Sequence, residues 1–110
     1  MIKCIAKYPN PKNFPICKII FDDDYTVIMY GMYKSKDEYS MGMRWSKSES
    51  ILGYPNIFGK SMWMVIPEDI DRYIVEGLIR DYGDSENKSF CKKAAMEFIE
   101  IYNNNYRVIK

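Results

Sequence analysis

A chain of 110 residues fits one domain, and 47% apolar content with ten Tyr, five Phe and two Trp gives it enough large side chains for one core. A net charge of +1 excludes the basic imbalance of a dedicated nucleic-acid binder, and no run reaches the roughly 18 apolar residues of a membrane span. Three cysteines, Cys4, Cys17 and Cys91, are too few and too dispersed for a disulfide scaffold, so reduced thiols at apolar positions are expected.

Ile2, Cys4, Ala6 and Tyr8 alternate with Lys3, Ile5 and Lys7, which predicts an edge strand; the lysines also interrupt any signal-peptide core and suggest a cytoplasmic protein. Pro9, Pro11 and Pro15 then make a stiff loop. Residues 16–21 and 25–33 are β-rich runs around Asp22-Asp23-Asp24, a hairpin pattern. In the second run Val27 and Met29 share one face and Ile28 and Tyr30 the other, as in a central strand covered on both sides. Gly31 inside it marks a bulge or a close approach.

Tyr39, Met41, Met43 and Trp45 alternate with Glu38, Ser40, Gly42 and Arg44, which predicts a strand with the first set inward and the second outward. Residues 46–59 have no period and carry turn residues at Gly53, Pro55, Asn56 and Gly59. Loops of this length are uncommon in small domains and often functional; Ile51, Leu52, Tyr54, Ile57 and Phe58 predict that part of this one folds back on the core.

Residues 60–70 are the pivot of the chain. Residues 62–66 read as a buried strand, Pro67 suits the first helical position, and Glu68, Asp69 and Asp71 suit the positive first turn. Ile70, Tyr73, Ile74, Gly77 and Leu78 follow helical spacing up to Gly83, a natural C′ residue. Asp84 or Ser85 can cap a second helix with the stripe Cys91, Ala94, Ala95, Phe98, Ile101 and Tyr102 and a Lys93–Glu97 pair on its outer side. Tyr106 to Ile109 would be a last strand or a tail. Strands followed by two helices predict one α+β domain over residues 1–110: a mostly antiparallel four- to five-stranded sheet with both helices packed on one face. Met43, Trp63, Val65, Ile74, Leu78 and Phe98 are the expected core.

The absence of histidine removes the commonest general base and metal ligand and makes a Ser-His-Asp or Cys-His arrangement within this chain impossible. Gly53 to Ser61 resembles a P-loop, but five residues separate its glycines where four are needed, and a strand follows where a helix should. Asp22-Asp23-Asp24 lacks the alternate spacing and distant Glu of a calcium loop, and the dipole accounts for the carboxylates at 68–71. No catalytic residue, metal site or cofactor is therefore expected.

Residues 1–60 hold nine Lys/Arg against six Asp/Glu and residues 61–110 seven against nine, or +3 and −2, a mild asymmetry that a solvated surface accounts for. These features predict a small non-enzymatic binding or regulatory protein that acts by protein–protein contact, comparable in size and class alone to immunity proteins and phage-type inhibitors. The contact surface is expected on the 46–60 loop, with Tyr54 and Phe58 as anchors and Lys47, Asn56 and Lys60 around them. The sequence is also compatible with a homo-oligomer. The alternative is a nucleic-acid-binding sheet face using Tyr30, Tyr33, Arg44 and Trp45, and a third reading is a small enzyme working without histidine.

Overall fold

The computed structural model describes residues 8–35, 37–45, 55–57, 60–83 and 87–103. The predicted strand at residues 2–7 with Cys4, the residues Lys47, Tyr54 and Phe58, the Asp84 or Ser85 cap and the 106–109 segment lie outside them. Among the described residues six strands precede two helices: β1 (Ile16–Asp22), β2 (Thr26–Tyr33), β3 (Glu38–Trp45), β4 (Asn56–Ile57), β5 (Lys60–Ser61), β6 (Met64–Ile66), α1 (Glu68–Tyr82) and α2 (Lys92–Asn103). β1, β2, β3 and β6 form one antiparallel sheet in that order, while β4 and β5 make a separate two-stranded hairpin inside the segment expected to be loop.

The first hairpin turns on its aspartates. Asp22 Oδ1 accepts from Asp24 N, and Asp23 Oδ1 accepts from the amides of Tyr25 and Thr26. Asp24 takes a φ of 74°, a left-handed conformation that Asp tolerates better than most residues. β1 is irregular: both Ile16/Lys18 and Ile19/Phe21 span a register shift against β2. At the first shift the Pro15 carbonyl sits against Gly31, where an added Cβ would lie 2.1 Å from the carbonyl oxygen, so the close approach read from the sequence is the reason for this glycine. The second shift turns both Ile20 and Phe21 toward the helices.

Both faces of the sheet are covered. On one, Ile20, Ile28, Tyr30 and Met41 pack against Val75 of α1 and Ala94, Ala95 and Phe98 of α2. On the other, Ile19, Val27 and Met29 lie under Tyr8, Phe14 and Trp63. Irregular chain makes this second cover, held by hydrogen bonds: Trp63 Nε1 donates to the Pro9 carbonyl at 2.7 Å, and the Tyr8 hydroxyl donates to Asp22 Oδ2.

This cover overturns the predicted polarity of β3. Ser40, Gly42 and Arg44, expected outside, are buried, Gly42 directly beneath Phe14 and Trp63, whereas Trp45, expected inside, is 39% exposed at the strand end. Of the expected core, Trp63 and Phe98 are buried; Met43, Val65, Ile74 and Leu78 are half-buried at the margins of the two clusters.

The helices differ from expectation in rotation and limits. α1 buries Asp71 and Val75 and packs Ile74, Leu78, Ile79 and Tyr82 on the sheet, leaving Ile70 and Tyr73 exposed. Its inward face is turned by about one residue, some 100°, from the apolar stripe. Pro67, with ψ 142°, is the N-cap rather than the first helical residue, and Gly83 closes the helix in the right-handed region. Cys91, expected on the α2 stripe, precedes the helix and is exposed. Its amide donates to the Ile20 carbonyl, Asp22 N donates to the Ser89 carbonyl, and Phe90 bridges Phe21, so residues 89–91 extend the outer edge of β1. Glu97 accepts from the Tyr30 hydroxyl at 3.0 Å and pairs with Lys18 of β1 at 3.8 Å, rather than with Lys93. Among the described residues no helix is long and apolar enough to cross a membrane.

Cys17 and Cys91 are free thiols. Burial pushes the half-buried Cys17 thiol up, which lowers its thiolate fraction at neutral pH, whereas Cys91 is open to solvent. A thiol reagent applied to the folded protein should therefore modify Cys91 at least about tenfold faster than Cys17, as read by time-resolved peptide mass spectrometry. Equal rates would contradict the burial of β1.

Candidate functional site

β3 ends at Trp45 beside the β1–β2 turn, because Trp45 pairs with Thr26. Tyr25, the residue before Thr26, is therefore at the same end of the sheet. Tyr25 is 61% exposed and Trp45 39%, two of five large hydrophobic side chains so exposed among the described residues. The chain leaves this end at Trp45 and returns at Pro55, so residues 46–54 depart from an aromatic platform.

Arg44 fixes the return. Its side chain is almost wholly buried, and Nη1 donates to the carbonyls of Pro55 (3.3 Å) and Met62. The Met62 amide donates back to the Pro55 carbonyl at 3.0 Å, so one oxygen joins the strand, the start of β4 and the residue after β5. The guanidinium also stands 6.0 Å from the Trp63 ring. A guanidinium can hold two carbonyls with directed donors where an ammonium offers one compact charge, so arginine suits this buried junction. Burial pulls the Arg44 pKa down.

Of the residues predicted for contact, Asn56 and Lys60 belong to the β4–β5 hairpin, where Asn56 pairs with Ser61 and Ile57 with Lys60. Lys47, Tyr54 and Phe58 lie outside the described residues. The four residues of the sheet-face alternative do not form one surface. Tyr30 is buried against Phe98 on the helical side, and its hydroxyl is pushed well above the ordinary tyrosine range by burial first and by Glu97 next. Arg44 is buried on the opposite face; Tyr33, whose ring packs on Phe14, is half-buried there, and Trp45 stands at the strand end. A base could not stack on Tyr30 without displacing α2.

Tyr25 was not singled out by periodicity. Its one signal is its place directly after three turn-forming aspartates, because alternation puts it in phase with Val27 and Met29. The Asp22 and Asp23 carboxylates bond nearby backbone amides and Tyr8, and among the described residues no group of three His, Cys, Asp or Glu could hold a metal ion. At the start of α1, Glu68 and Asp69 are exposed and Asp71 is buried, so these carboxylates are not gathered into one catalytic pair. No family model, curated protein or solved structure matches this chain.

Proposed function

We propose that this is a non-enzymatic binding protein that acts by protein–protein contact through the Tyr25–Trp45 end of its sheet and the adjoining segment that includes Tyr54 and Phe58. The supporting observation is the position of two exposed large aromatics at the end from which residues 46–54 depart. Leaving a Tyr and a Trp in water forgoes burial energy, and these side chains dominate contact energies when a partner desolvates them. Arg44 holds the base of the segment, so little ordering of that base remains to oppose binding.

The test is capture of a partner by the immobilised full chain, compared with the Tyr25→Ala/Trp45→Ala double variant. Loss of a partner that the parent retains, with a melting temperature lowered by no more than about 8 °C, is the expected result, since each exposed substitution changes stability by less than about 0.5 kcal/mol. Undiminished capture would remove this end from the interface. A bound species released in proportion to added salt and destroyed by nuclease would favour a nucleic-acid partner instead.

A further inference from the structure

Besides Tyr25 and Trp45, the large hydrophobic side chains that stand open among the described residues are Ile70, Tyr73 and Met96, all on the helices. Ile70 and Tyr73 are 50% and 61% exposed. At about 100° per residue, Ile70, Tyr73 and Gly77 form one stripe on the side of α1 opposite Val75, which is wholly buried. Steps of three and then four residues are the spacing with which one helix packs against another.

Gly77 is not explained by the fold of one chain. Glycine is the weakest helix former after proline, and this one lies inside a helix of 15 residues. Among the described residues, a Cβ added there would meet nothing closer than the Arg80 guanidinium at 3.9 Å. At Gly31 and Gly42, by contrast, it would run into Pro15 and into Met29 and Phe14. A missing side chain on an outward face admits the close approach of another backbone or ring.

We propose that this face packs against the same face of a second copy, α1 antiparallel to α1, about a two-fold axis level with Val75. Residues equally far before and after Val75 then meet, so each Tyr73 ring lies over Gly77 of the other copy. The ring is already held, since Arg72 Nη2 donates to its hydroxyl at 3.2 Å, and little ordering remains to oppose docking.

Charge selects the direction. Asp69 and Arg80 are both exposed and lie about three turns apart, on one flank of the stripe. In the antiparallel pair each Asp69 comes beside Arg80 of the other copy, twice by symmetry. A parallel pair would set Asp69 against Asp69 and Arg80 against Arg80, with the helix dipoles aligned as well. Arg80 already holds Asp81 at 3.1 Å through Nε, and a guanidinium has further donors to offer. Glu76, which approaches its own copy near the axis, is offset by Arg72 at 3.6 Å. A single helix face falls below the roughly 1,200 Å² that stable complexes bury, so the pair forms and parts with concentration. This interface is independent of the Tyr25–Trp45 end, so either reading can fail alone.

The experiment is sedimentation equilibrium of the full chain from low to high micromolar concentration, with a melting curve for every variant. The parent should pass from the mass of one chain toward that of two. Ile70→Glu/Tyr73→Glu should weaken association at least about tenfold while the domain stays folded. Gly77→Gln should melt no lower than the parent, because it improves the helix, and still weaken association at least about tenfold. Asp69→Arg and Arg80→Asp should each weaken association, and the double variant should restore it. The mass of one chain at every concentration, a dimer untouched by the Ile70 and Tyr73 changes, or a double reversal no better than its parts would each overturn the proposal. A chain that stays monomeric while Tyr73→Glu loses a captured protein would give this face to a different partner, and that too would overturn it.

Discussion

Phe98→Ala should cost about 3–5 kcal/mol, a large part of the roughly 5–15 kcal/mol that holds a domain of this size together. Phe98 is 1% exposed, its ring lies 5.7 Å from that of Tyr30, and it joins α2 to the sheet through the cluster of Ile20, Ile28 and Met41. Removing the ring leaves a cavity that flanking strands cannot close without disturbing the Tyr30–Glu97 hydrogen bond. At roughly 4–8 °C per kcal/mol, the melting temperature should fall by about 12 °C or more. Met96→Ala on the same helix is the control: Met96 is 47% exposed, and its loss should fall within about 0.5 kcal/mol of neutral. If the two variants melted together, the docking of α2 described here would be wrong.

The second large effect is expected at Arg44. Arg44→Met keeps most of the aliphatic stem but removes the donors that the Pro55 and Met62 carbonyls use. Hydrogen bonds from a charged donor contribute about 1.5–3 kcal/mol each; the Pro55 carbonyl keeps the Met62 amide while the Met62 carbonyl loses the guanidinium, so a net cost of about 2–4 kcal/mol follows. Arg44→Lys should recover only part of it, because one ammonium cannot reproduce a planar fork in a buried setting. Trp63, with its ring 6.0 Å from the guanidinium, reports the change, and its fluorescence should shift to longer wavelength as the 55–62 segment loosens. An Arg44→Met variant as stable as the parent would mean that the segment is held by other contacts.

Sequence periodicity made the middle of the sheet legible. β2 shows its two-sided burial directly, because Val27, Ile28, Met29 and Tyr30 are all large and apolar. The adjoining β3 misleads for a physical reason. Its second face is buried by residues that periodicity counts as polar: Ser40 and Gly42 are small enough to lie beneath other chain, and Arg44 satisfies its charge with carbonyls. Nothing local to β3 announces that Phe14 and Trp63 will cover it. The error in α1 has the same origin, since Asp71 is wholly buried and an apolar count places a carboxylate outside. The Tyr25–Trp45 end needs strand pairing to be seen at all, because its two aromatics are about twenty positions apart and meet only through register.

The attachment of residues 89–91 to β1 bears on how the chain is made. Strands β1 to β3 are sequential neighbours and can pair as soon as Trp45 has been synthesised. The carbonyl of Ile20 and the amide of Asp22 must then wait for Cys91 and Ser89, and the apolar row of Ile20, Ile28, Tyr30 and Met41 waits for Phe98. A growing chain therefore carries an unpaired strand edge beside an uncovered hydrophobic surface through the whole translation of α1, the combination that invites association between nascent chains. Completion of the domain is set by the emergence of its second helix, and a chain cut before Phe90 would leave the ribosome with that edge still open.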